Sequence, residues 1–178
     1  LHMFDADGDE ITRQSGEINA GSHSEEALVP EVFIEAVSDN GFAFGLSYIP
    51  TRDVGAKSRS DSNSEGDTGV YTGSAEVLQH VGVYLEPTIY ATDWLGIYAK
   101  GGLSSVVVRS LEAIDHGSEA SVYEDARVKG TMYGAGIRLT PWAFVIKAEY
   151  TDTNYDDFTL DSDVAGKIDA TLSIMEIT

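Results

Sequence analysis

At 178 residues the chain is long enough for one domain with a real core, and 42% apolar content excludes disorder throughout. Thirty acidic against 11 basic residues give a net charge of −19, which excludes a nucleic-acid footprint and disfavours anionic lipid heads unless divalent cations intervene. The absence of cysteine excludes disulfides and thiolate metal sites, and the absence of a long apolar run excludes a transmembrane helix but not a transmembrane β-barrel.

In chain order the signal is alternation with period two, not helical periodicity. "LHMF" at the start reads as the stub of a first strand, and no signal peptide is visible, as expected of a chain that starts at a cleavage site or inside a mature protein. Residues 28–37 (LVPEVFIEAV) set Pro30, Val32, Ile34 and Ala36 opposite Glu31, Phe33 and Glu35. Residues 42–50 (FAFGLSYIP) set Phe42, Phe44, Leu46 and Tyr48 opposite Ala43, Gly45 and Ser47. A three-residue loop, Asp39-Asn40-Gly41, with Gly41 left-handed, pairs Ala36 with Phe44, Ile34 with Leu46 and Val32 with Tyr48.

The next hairpin, "HVGVYLEPTIYATDWLGIYAKGG", places Val81, Val83, Leu85 and Ile89 on one face and Gly82, Tyr84, Glu86 and Tyr90 on the other. Turning at Thr92-Asp93-Trp94, it pairs Ala91 with Leu95, Ile89 with Ile97, and Glu86 directly with Lys100. A third hairpin, about 128–152, turns at Thr140-Pro141-Trp142. It carries Tyr133, Ala135, Ile137, Leu139, Phe144, Ile146, Ala148 and Tyr150 opposite Gly134, Gly136, Arg138, Lys147 and Glu149. A last segment, 168–174, sets Ile168, Ala170, Leu172 and Ile174 against Asp169, Thr171 and Ser173.

Short turns thus alternate with long polar stretches at 5–27, 51–79, 110–126 and 154–167, so a meander projects every long loop from one end. Extended slightly to 152–167 at the last, these stretches hold 22 of the 30 acids, which would form a crown there. The expected fold is all-β: one domain, 1–178, an up-and-down antiparallel eight-stranded barrel of seven clear strands plus a short first one.

Alternation alone does not say which face looks inward. A soluble barrel buries its apolar face; a membrane barrel turns it to lipid and fills the lumen with polar groups. Three features favour the membrane. The polar face offers charge partners, Glu86 with Lys100, then Arg138, Lys147 and Glu149, and charge confined in a narrow lumen needs partners. The strands have the length needed to cross hydrocarbon at a tilt. Trp94, Trp142, Tyr48, Tyr90 and Tyr150 fall at turns or strand ends, where interfacial aromatics sit.

"VPEVFIEAVSDNGFAFGLSYIP" resembles the second and third strands of small outer-membrane β-barrels, the opacity-protein and OmpA-like transmembrane superfamily. "GTMYGAGIRLTPWAFVIKAEY" is similar to their sixth and seventh strands, and "IDATLSI" to the start of their last. The resemblance implies eight antiparallel strands, short periplasmic turns and long extracellular loops. It also implies that Val81, Val83, Leu85 and Ile89 face lipid while Tyr84, Glu86 and Tyr90 fill the lumen. The chain departs from the family in its reduced first strand and in ending on "MEIT" in place of an aromatic residue.

Sites of chemistry are few. Asp5, Asp7 and Asp9 in "FDADGDEI" are the candidate metal ligands, but the sixth and twelfth positions of a helix–loop–helix calcium loop hold Glu10 and Gly16, so that match fails and only weak, diffuse calcium binding is expected. "AGSHSEE" offers Ser22, His23, Ser24 and Glu25, but a triad is a matter of geometry and not of clustering, so no enzyme and no cofactor are expected. The functional expectation is an outer-membrane barrel with a filled lumen. Its partners would be lipid and, through the loops, a surface ligand, a neighbouring subunit or a phage. The alternatives are a subunit of an extracellular or virion assembly that completes its sheet with a neighbour's strand, and a soluble ligand-binding barrel.

Overall fold

A computed structural model describes residues 1–12, 18–62, 68–114, 121–140, 145–162 and 166–178. The strands are β1 (His2–Thr12), β2 (Ile18–Ala27), β3 (Val32–Val37), β4 (Phe42–Ile49), β5 (Arg52–Ser62), β6 (Thr68–Thr92), β7 (Leu95–Ile114), β8 (Ser121–Val122), β9 (Ala126–Leu139), β10 (Ile146–Tyr155), β11 (Phe158–Ser162) and β12 (Gly166–Ile177). All pair antiparallel in one sheet, in the order β2-β1-β12-β10-β9-β7-β6-β4-β3, with β5 on β6, β8 on β7 and β11 on β12. Most neighbours in space are neighbours in sequence, as an up-and-down meander requires, and β1 beside β12 brings the first strand against the last. The hydrogen-bonded path does not close. Its two ends, β2 and β3, are joined through the chain at 28–31, where Pro30 cannot donate to a ladder.

The β3–β4 hairpin has the expected register, Ala36 opposite Phe44 and Val32 opposite Tyr48, with Gly41 at φ +81°. Elsewhere the expectations need correction. The stub at the start is a full strand, β1. Where described, the stretches 5–27, 51–79, 110–126 and 154–167 are largely strand: β1 with β2, β5 with the first part of β6, the end of β7 with β8, and β11 run through them. Their Ser, Gly, Asp and Glu suggest loops by composition, but a ladder needs only alternation and paired backbones. In the β6–β7 hairpin, Thr92 and not Ala91 faces Leu95, because the register shifts by one beyond Tyr90. The β9–β10 register, Ile146 opposite Leu139, makes that connection longer than three residues, and Pro141, Trp142 and Phe144 lie outside the described residues.

The wall changes its chemistry along its length. At the turn end the outward residues are apolar: Phe42, Phe44 and Leu46 on β4, Val83, Leu85 and Ile89 on β6, Ile97 and Leu103 on β7, Ile137 on β9 and Ile146 on β10 are exposed. At the other end the buried residues are apolar: Phe4, Val29, Ile49, Val77, Val106, Val108, Tyr123, Val128, Tyr155, Leu160, Leu172 and Ile174 form one core cluster inside. Leu172 and Ile174 therefore correct the reading of 168–174, whose apolar face looks inward.

On β7 the switch happens without any change of side. Tyr98, Lys100 and Ser104 point inward and are followed by Val106 and Val108, while outward Ile97 and Leu103 give way to Ser105 and Arg109. On β6 a bulge does it. The register shifts between Leu78 and Val81, Gln79 takes φ +48°, and both Val77 and His80 end up inside.

Glycine–tyrosine contacts close the wall over the lumen. A Cβ on Gly45 would run into Tyr84 Cζ, and one on Gly136 would lie 2.6 Å from Tyr98 Cζ, so each ring occupies the space a side chain would take. Gly45→Ala and Gly136→Ala should each cost about 1–3 kcal/mol by overpacking. Gly101→Ala, where a Cβ meets nothing within 4 Å, should be close to neutral. Urea unfolding from lipid vesicles measures the difference, and equal midpoints for all three would remove the interlock.

Candidate functional site: a charged lumen inside an apolar belt

The register of adjacent strands stacks the inward residues of the turn end into one lumen. β3 supplies Glu35, β6 Tyr84 and Glu86, β7 Tyr98 and Lys100, β9 Arg138, and β10 Lys147 and Glu149. Arg138 Nη2 donates to Glu35 Oε2 (2.7 Å) and Glu86 Oε2 (2.9 Å). Lys147 Nζ donates to Glu35 Oε1 (2.6 Å) and Glu86 Oε1 (2.8 Å). Lys100 Nζ donates to Glu149 Oε1 (2.6 Å), Tyr98 Oη to Glu149 Oε2 (2.7 Å) and Tyr84 Oη to Glu35 Oε1 (2.9 Å). Three carboxylates thus meet three cations, and the network is formally neutral. Lys100 also sits 4.0 Å from the Tyr84 ring centroid, where the ring's quadrupole attracts it.

The Glu86–Lys100 pair looks different in this setting. The two are 4.0 Å apart, at the limit of an ion pair, while each has nearer partners: Arg138 and Lys147 for Glu86, Glu149 for Lys100. Glu35 is the member that sequence reading left out. Only the inward direction of β3, opposite the exposed Val32 and Ile34, marked it as luminal.

Above this network lies a second polar layer that no sequence spacing announced. Ser104 Oγ hydrogen-bonds His80 Nε2 at 2.6 Å and Tyr155 Oη at 3.0 Å, all three buried. His2 Nε2 lies 3.3 Å from Glu176 Oε1. Among the described residues His80 Nδ1 has no hydrogen-bond partner to orient the ring, and the apolar cluster that includes Tyr155 adjoins the pair. The "AGSHSEE" group is no better placed. Adjacent residues of β2 point to opposite faces, so Ser22 and Ser24 are exposed while His23 turns the other way and contacts Glu25 Oε2 at 3.1 Å.

Asp5, Asp7 and Asp9 stand in a row on the outward side of β1, opposite Ser173, Thr171 and Asp169 of β12, so they line a wall and do not converge. Among the described residues no group of three or more His, Asp or Glu is arranged to hold a metal ion. On the same outer wall Arg109 forks Asp125 at 3.0 and 3.1 Å and holds that exposed carboxyl below the usual range. A depressed carboxyl adds its small stability above the ordinary aspartate pKa and loses it as pH falls through the folded value.

The apolar belt outside the network is bounded by aromatics. Moving from the turn end, its last large members are Tyr48 on β4, Val81 on β6, Leu103 on β7, Tyr133 on β9 and Tyr150 on β10, all exposed. Tyr90 and Trp94 are exposed at the turn end. Trp142 lies outside the described residues. Ile89 is 79% and Leu103 68% exposed, and with Phe44, Leu85, Ile97 and Ile137 they make a large contiguous apolar surface. On β7 the belt runs from Leu95 to Leu103 and on β6 from Val81 to Ala91, close to the roughly 9–11 residues that cross hydrocarbon at a tilt.

No protein-family model matches the sequence. No curated protein matches it either. Among solved structures the chain is similar to Ail, the attachment invasion locus protein of Yersinia pestis, at 13% identity and a TM-score of 0.39, over 99% of this chain and 94% of that one. Neisserial surface protein A (NspA) is similar at 9% identity and 0.42, again over 99% and 94%. The outer membrane protein Ail in a phospholipid bilayer nanodisc is similar at 15% identity and 0.32, over 97% of both.

Lys147→Met removes a donor from both Glu35 and Glu86 and leaves three buried carboxylates facing two cations. It should cost about 3–5 kcal/mol in lipid unfolding. Adding Glu35→Gln restores the balance and should recover a large part. A single variant as stable as the parent would mean that water, and not protein, compensates these charges.

Proposed function

We propose that the chain is a bacterial outer-membrane β-barrel with a filled lumen, whose extended rim meets partners at the cell surface. The observation that carries this is the exposed apolar belt around a charged lumen, the reverse of a water-soluble barrel. Among spanning structures, a β-barrel whose polar interior is filled and whose turns are short at one rim fits the outer-membrane type. Glu86, Arg138 and Lys100 are each at most 6% exposed, which supports a plugged interior over an open pore.

Beyond the belt, β7 continues from Ser105 to Ile114. Ten tilted residues lift the rim by about 20 Å. An apolar inside and a polar outside make that upper part a water-facing barrel standing on the membrane part. Its acidic wall, with Asp5, Asp7 and Asp9, favours diffuse attraction of divalent cations over a single rigid site. Ser104 and His80 act in this reading as internal packing and not as catalysts, so the protein works by contact and not by turnover.

Depth-dependent quenching tests the orientation. With Trp94 and Trp142 changed to Phe, a tryptophan placed at Ile97 should be quenched strongly by brominated lipid, and one placed at Asp7 weakly. Leu85→Arg or Ile97→Arg should cost about 2–4 kcal/mol if those residues lie near the bilayer midplane. Ser105→Arg, beyond the belt, should cost little. A chain that stays folded and monomeric in buffer without detergent would overturn the assignment of faces.

A further inference from the structure

Arg127 and Lys129 occupy alternate positions of β9, both exposed on the outer wall. Neither forms an ion pair among the described residues. By contrast, Lys100, Arg138 and Lys147 in the lumen and Arg109 and Lys167 outside each have a carboxylate partner. The ladder fixes where the unpaired cations stand. Thr131 faces Leu103, the last large belt residue of β7, Lys129 faces Ser105, and Arg127 faces Val107. Lys129 is thus one outward position beyond the belt. Two residues of tilted strand lift it by about 5 Å, into a headgroup layer about 5–8 Å thick.

The acids of this neighbourhood leave the two cations open. Asp125 is forked by Arg109, and Asp152 accepts from Asn154 Nδ2 at 2.9 Å. Asp156, whose N–H donates to Lys129 O at 2.8 Å, makes no ion pair with the Lys129 side chain. The β1 side of the wall has the opposite character: Asp5 and Asp7 are exposed there, facing Ser173 and Thr171 of β12. The net charge of −19 repels anions at long range, but salt screens that repulsion beyond about 8 Å, so contact at β9 is decided locally.

We propose that Arg127 and Lys129 hold a phosphate monoester on the headgroup of an outer-leaflet glycolipid whose acyl chains lie on the belt below. Alternate strand positions are about 7 Å apart on one face, so both long side chains reach one phosphate. The guanidinium forks two of its oxygens and the ammonium adds a point charge. A monoester carries about −1.5 to −2 charges at neutral pH, which matches two cations, whereas the single charge of a phosphodiester needs only one. The hydroxyls of Ser105 and Thr131, beside Lys129 on the same face, suit the sugar that bears the phosphate. Exposed Leu103 and Tyr133 directly below favour a phosphate anchored on acyl chains over a soluble one. The proposal rests on the membrane reading above.

Lipid retention tests it. The chain is placed in phosphatidylcholine nanodiscs containing lipid A, whose phosphates are monoesters, or phosphatidylglycerol, a phosphodiester. EDTA is present throughout, so that acids cannot recruit lipid through divalent cations. After extraction into a zwitterionic detergent, retained lipid is counted by mass spectrometry. The parent should retain lipid A at least fivefold over phosphatidylglycerol. Arg127→Gln with Lys129→Gln should bring lipid A down to the phosphatidylglycerol level, while Lys129→Arg keeps the parent level. Asp5→Asn with Asp7→Asn, on the acidic side, should stay within twofold of the parent. An unchanged urea midpoint for the double Gln variant in phosphatidylcholine alone shows that the embedded barrel is intact and separates loss of the headgroup contact from failure of the membrane reading. The proposal is overturned if that folded variant retains as much lipid A as the parent, or if the parent retains both anionic lipids equally.

Discussion

Glu86 is fully buried, and two cations from two other strands converge on it: Arg138 from β9 and Lys147 from β10. The same two cations hold Glu35 from β3. Four strands, of which only β9 and β10 share a ladder, are thereby tied across the lumen. Buried charge of this kind is costly unless every member is paired, so the network fixes the mutual register of the strands as well as their spacing. A one-residue slip in any of them would carry its charge out into the belt.

That constraint explains the rest of the wall. With charge inside the turn-end half, the outside there is left for apolar side chains, and the surface becomes one that lipid can cover. Toward the other end the ion network gives way to His2, His80, Ser104 and Tyr155, and then to a dry core of Val106, Val108, Val128, Leu172 and Ile174. The outer face turns polar over the same stretch. The sheet thus has two halves of opposite polarity, joined by strands such as β6, β7 and β9 that run through both, one half suited to hydrocarbon and one to water. The boundary between them follows the tyrosine positions Tyr48, Tyr133 and Tyr150.

The functional consequence is one of placement. In the proposed orientation, the rim is carried above the bilayer on the continuous ladders of β6, β7 and β9 over an apolar core. The acidic outer wall of β1, with hydroxyls of β2 and β12 beside it, presents a regular array of carboxylates to whatever approaches from the side. In the function proposed above, that array would repel anionic polymers and attract cations without a pocket.

The sequence by itself determined the strands of the belt. Phe42, Phe44, Leu46 and Tyr48 alternate with small residues, the Asp39-Asn40-Gly41 turn sets their partners, and inward Glu86, Lys100, Arg138, Lys147 and Glu149 are read off by parity, because a strand has a period of two and short turns fix register. What only the tertiary structure decided is where that code reverses and who pairs with whom. Leu172 and Ile174 read like lipid-facing residues until the water-facing wall around them shows that they fill a core. Glu86 faces Lys100 across the ladder, yet its close partners come from β9 and β10, because side chains in a closed space reach across the lumen to groups that no one-dimensional register brings together.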